Sequence, residues 1–78
     1  MTIERFLSDR LVELEAEGSL IGGTLAGEHR ILAARVIALK VELIRAAPLP
    51  RWWKRAALQR IARRHWSEHS EYREEWRG

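Results

Sequence analysis

The sequence has no cysteine, only two prolines, and no long apolar run. Each shortage excludes something. Without cysteine there is no disulfide staple and no thiolate zinc cage. His29, His65 and His69 lack a partner set with structural-site spacing, so no metal or cofactor is expected. The missing thiols also fit a reducing compartment. The greasiest segment, 31–44, is interrupted by Arg35, Lys40 and Glu42. That leaves no stretch of the ~18–20 apolar residues a membrane span requires. The opening residues lack a basic region followed by an apolar run, so no signal peptide is read. The expectation is a cytoplasmic protein without a membrane span. Strand-like alternation, repeats and low-complexity tracts are missing too.

What remains is 78 residues, enough for one domain with a thin core. Good helix packing and self-association are the expected sources of its stability. Residues 2–17 read as a first helix. Ile3, Phe6, Leu7, Leu11 and Leu14 recur at three- and four-residue spacing, with Glu4, Asp9, Glu13 and Glu17 off that stripe. Thr2 is the expected N-cap and Gly18 the expected C′ residue. The connection 18–24 holds three glycines, and its Leu20 and Ile21 are expected to tuck against the core.

Residues 25–46 read as a second helix that stops before Pro48. It carries two apolar stripes. One is Leu32, Val36, Leu39 and Leu43; the other is Ile37, Val41 and Ile44. Glu28, Arg35 and Glu42 share a polar strip. A helix apolar on most sides is buried on most sides, so this one is expected to be central, with a neighbour on each face. A second copy of the chain could supply one of those neighbours. Pro50 is a candidate first residue for a third helix over about 51–66. Trp53, Ala57, Leu58 and Ile61 form its expected core stripe, and Trp52 projects among Arg55, Gln59, Arg60 and Arg63. Ser70 is the expected cap of a short fourth helix over 70–76, or of a kinked continuation of the third. The fold class is therefore all-α: a single-domain three-helix bundle, residues 1–78, with a short C-terminal helical segment and the second helix central.

Charge is segregated. Residues 1–29 carry six acids against two arginines, 48–66 carry six basic residues and no acid, and 67–78 carry four glutamates against two arginines. Arg51, Trp52, Arg55, Arg60, Arg63 and Arg64 make a candidate binding surface: guanidinium groups neutralise phosphate and an exposed indole stacks on a base. Lys/Arg beside Trp also suits an anionic membrane surface. The plainer expectation is that Trp53 is core and the arginines pair with the acidic first helix and the Glu-rich tail. Tyr72, Arg73 and Trp76 make a second candidate interface, since these residue types anchor protein contacts. Its structural alternative is that Tyr72 and Trp76 close one end of the core.

Catalytic chemistry finds little support. His65 and His69, near Glu68, are four apart but have no third ligand. Ser8, Ser19, Ser67 and Ser70 stand in no nucleophile elbow. Gly22-Gly23-Thr24 lacks the lysine and the glycine spacing of a phosphate loop. A domain of this size leaves little room for a small-molecule pocket, so no enzyme and no small-molecule substrate are expected.

The two ends carry a resemblance. Met1-Thr2-Ile3-Glu4-Arg5-Phe6-Leu7, followed by Arg10-Leu11, resembles the start of a family of short actinobacterial and actinophage proteins of unknown function. His69-Ser70-Glu71-Tyr72-Arg73-Glu74-Glu75-Trp76-Arg77 resembles that family's ending, H-P-D-Y-R-E-E-W. Arg60-Ile61-Ala62 fits the apolar helix before that motif. The likeness covers about twenty to twenty-five residues. Ser70 stands in place of the usual proline, and Ala47-Pro48-Leu49-Pro50 in place of a cysteine-containing insertion. The resemblance implies an actinobacterial or phage source and no activity. The expected role is a small helical protein–protein interaction module, with a homodimer or another protein as partner. The alternative is a nucleic-acid-binding accessory protein that uses the basic third helix.

Overall fold

The computed structural model describes residues 2–76. Met1 and Arg77, the outer residues of the two terminal motifs, and Gly78 lie outside the described residues. Three helices, α1 (Ile3–Leu20), α2 (Leu25–Ala46) and α3 (Arg51–Trp66), are followed by a 3₁₀ turn at Glu74–Trp76. This is an all-α three-helix bundle. Among the described residues no helix is long and apolar enough to cross a membrane.

Local chemistry explains the starts. Thr2 and Thr24 are extended, and each hydroxyl accepts an N–H that the helix cannot pair internally, from Arg5 at 3.2 Å and from Gly27 at 3.0 Å. The Thr24 hydroxyl also donates to the Ile21 carbonyl at 2.7 Å, tying the connection to the helix it opens. Pro50 is the N-cap of α3 rather than its first residue, and its carbonyl accepts from Trp53 and Lys54.

α1 runs three residues past its expected end. Gly18 is inside the helix, and the positive φ in this connection belongs to Gly23, at 83°. Gly18 has another task. A Cβ there would lie 2.7 Å from Ile31 Cγ1 and 2.8 Å from the Gly27 carbonyl oxygen. A Cβ on Gly27 would lie 2.7 Å from the carbonyl oxygens of both Gly18 and Ile21. The two glycines let the backbones of α1 and α2 touch where the chain reverses. Leu20 and Ile21, expected in the core, are exposed because this tight crossing turns them outward.

The core gathers Ile3, Phe6 and Leu7 of α1, Ile37 and Val41 of α2, Leu58 and Ala62 of α3, and Trp76. Leu11, Ile44, Ile61, Trp66 and Tyr72 pack against it. Trp53, expected in this set, is exposed at the outer edge of α3. The expected helix over 70–76 reduces to the 3₁₀ turn, with Ser70 in a turn rather than at a cap. The aromatic side chains explain this. Tyr72 and Trp76 both reach Phe6, with centroids 6.2 and 5.0 Å away, and the chain wraps over the bundle end to bring them there.

α2 touches both other helices, but from one side. The principal extents are 41 × 28 × 17 Å, and a helix with only two neighbours keeps one side open. α1 and α3 share the Ile37–Val41–Ile44 stripe, and the Leu32–Val36–Leu39–Leu43 stripe has no neighbour on its side.

Candidate interaction surfaces

The first surface is that uncovered stripe. Leu32, Val36, Leu39 and Leu43 are 58%, 52%, 61% and 63% exposed, and Leu25 lies in line with them, also exposed. Leu25, Leu32 and Leu39 are seven apart, as are Val36 and Leu43. This is the a/d seam of a coiled coil, with leucine at d. Arg35 and Glu42 flank the seam on the side where α1 lies, bordering a groove with Leu11 and Val12 of α1. Lys40 flanks it on the side of α3, near His65. These apolar residues were visible in the sequence, but their exposure was not. Periodicity identifies an apolar stripe without saying whether the same chain covers it.

The second surface is the basic face of α3. Arg51, Trp52, Arg55, Arg60, Arg63 and Arg64 are exposed, Trp52 by 71%. A groove between the end of α2 and the start of α3 is bordered by Arg45, Arg51, Trp52, Lys54 and Arg55, with Glu4 across from them. The Lys54 ammonium donates to the Arg45 carbonyl at 2.7 Å, placing a cation on the negative C-terminus of α2. Among the described residues Arg51, Arg55, Arg60 and Arg64 form no ion pair, so the expected pairing of these four with the acidic segments is not made. His65 is held below its ordinary pKa, first by partial burial and then by the charges of Arg64 and Lys40.

The tail behaves differently from a docking surface. Trp76 is only 5% exposed and Tyr72 is half-buried against the core. Both are therefore corrected from interface candidates to packing residues, because they join Trp66, His69 and the Arg10 guanidinium around the Phe6 ring. Arg73 stays on the surface, 3.6 Å from Glu75.

Sequence reasoning missed the residue that holds the tail. Arg10 is 5% exposed. Its Nη1 donates to Glu71 at 2.9 Å and lies 3.1 and 3.0 Å from the Nδ1 and Nε2 of His69, while its Nη2 donates to Glu13 at 2.8 Å. The Glu71 backbone N–H donates to His69 Nδ1 at 3.1 Å, so that nitrogen acts as an acceptor there. The guanidinium carbon sits 5.2 Å from the Phe6 ring centre, a cation–π distance. Glu13, which lies off the apolar stripe of α1, thus has a structural role. His65 and His69 do not act together: His69 serves Arg10, and His65 is exposed on α3. Among the described residues no group of three or more His, Cys, Asp or Glu is placed to hold a metal ion.

Compared with protein-family models, curated proteins and solved structures, the chain matches none of them.

Proposed function

We propose that this protein is a helical protein–protein interaction module whose docking face is the Leu32–Val36–Leu39–Leu43 stripe of α2. One observation carries the reading: four large apolar side chains in unbroken a/d spacing are each more than half exposed on the longest helix. Scattered apolar residues are ordinary on a surface, but a contiguous row marks an interface. The accessible area points the same way. It is 5780 Å² for a 9.1 kDa chain, whereas a compact monomer of that mass exposes about 4,900 Å². The excess is close to the ~800 Å² each partner contributes to a standard interface. The role is binding rather than catalysis, in the cytoplasm, and the likeness of the chain's two ends supports an actinobacterial or phage setting.

A photo-crosslinking residue at position 39, introduced in the expressing cell, tests this. We expect a protein adduct there and none at Glu68, which is also exposed. No adduct above the Glu68 control contradicts the reading.

A second reading, nucleic-acid binding through α3, is favoured by the four unpaired arginines on the helix that bears exposed Trp52. It requires salt-sensitive binding of DNA or RNA that changing Arg51, Arg55 and Arg60 to Glu removes. No mobility shift at low salt refutes it.

A further inference from the structure

Resting on the interaction-module reading, we propose that the occupant of the α2 face is a second copy of this chain, running antiparallel. In its register Val36 stacks on the partner's Leu39 and Leu32 on the partner's Leu43. The two-fold axis then makes each of these contacts twice.

The flanking charges select this arrangement. With Leu25, Leu32 and Leu39 at d, Glu28, Arg35 and Glu42 fall at g, and Ala26, Ala33 and Lys40 at e. In a parallel pair each g residue faces the e residue five positions on in the partner. Arg35 would then face the partner's Lys40, a repulsion made twice, while the two glutamates would face only alanines. In an antiparallel pair g faces g and e faces e. The proposed register sets Arg35 opposite the partner's Glu42, an attraction made twice, and Lys40 opposite the partner's Ala33. Sliding one heptad towards the N-termini puts Arg35 on itself and Glu28 on Glu42. Sliding one heptad the other way puts Glu42 on itself and Lys40 on itself. A slide of two heptads towards the N-termini does pair Glu28 with Arg35, but it leaves Leu39 and Leu43 uncovered. One register therefore covers all four exposed apolar residues and opposes unlike charges.

The neighbouring elements leave room for it. α1 and α3 pack on the far side of α2, so nothing in the chain competes for the seam. The 22 residues of α2 extend about 33 Å at ~1.5 Å per residue, which accommodates the four proposed layers.

Since the chain has no cysteine, single cysteines report the topology cleanly. Leu32→Cys and Leu43→Cys are both at exposed positions, and far-ultraviolet circular dichroism verifies their folding. Mixed and oxidised, the two variants are expected to form a disulfide-linked heterodimer, while neither alone crosslinks. In the proposed register identical positions are eleven residues apart, or about 16 Å along the helices. Sedimentation equilibrium supplies the second arm. Arg35→Glu or Glu42→Arg alone is expected to weaken association by about tenfold, and the double swap to restore it to within about threefold. Self-crosslinking of Leu43→Cys, or tighter association of Arg35→Glu, establishes a parallel pair and overturns the proposal. A chain that stays monomeric at high micromolar concentration overturns it too. In that case a position-39 adduct to a different protein still upholds the interaction module, and no adduct defeats both.

Discussion

Arg10 is the residue on which the C-terminal wrap depends. A buried guanidinium with two carboxylates and a histidine around it is costly to leave unpaired and easier to lose altogether. We expect Arg10→Ala to lower stability by about 2 kcal/mol, because the cation's packing on Phe6 goes with its pairs, and Glu71→Gln by about 1 kcal/mol, because half-exposed Glu71 is replaced partly by water. Urea denaturation reads both. Gly27 makes a second test. A methyl group there meets backbone oxygens, which have no rotamer to change, so Gly27→Ala is expected to cost about 1–3 kcal/mol. The proton on His65 offers a third. Folding disfavours the charged ring, so as pH falls through 6.5 the unfolded chain takes up the proton first. His65 therefore withdraws stability progressively below that pH, and its NMR titration midpoint is expected below 6.5; a midpoint at or above 6.5 contradicts the assignment. Neither Arg10 nor Gly27 was legible in the sequence for these roles. The tail partners of Arg10 are 59 and 61 residues away, and a glycine needed for close approach looks the same in sequence as one that ends a helix.

At the scale of elements, α2 and α3 begin and end where the sequence says they should, because a threonine cap and two prolines act locally. The end of α1 and the tail depart from expectation because non-local forces decide them: the glycine crossing extends one, and Phe6 captures the other. α2 shows the limit most clearly. Both of its stripes were readable, but no local signal distinguishes the one that faces its own chain. The structure distinguishes them, and substitution can check it. Ile37→Ala, in the core, is expected to cost about 2–4 kcal/mol. Leu39→Lys, on the open stripe, is expected to change the stability of the isolated chain by no more than about 0.5 kcal/mol. Comparable losses at both positions would mean that the Leu39 face is covered within the monomer.

The whole molecule is a three-helix bundle with a small core, and its most apolar helix is bare along one side. Pairing two bundles through α2 gives each of those helices a neighbour on its open side and turns an exposed seam into a shared core. Stability then depends on concentration, since the folded dimer is favoured by mass action, and the melting temperature is expected to rise as the chain is concentrated. The most direct test is the solution mass by light scattering across the micromolar range, for the native sequence and for Leu32→Lys with Leu39→Lys. The native chain is expected to approach twice 9.1 kDa while the variant, equally helical, stays at the single-chain mass. A native chain that stays at the single-chain mass throughout contradicts the account.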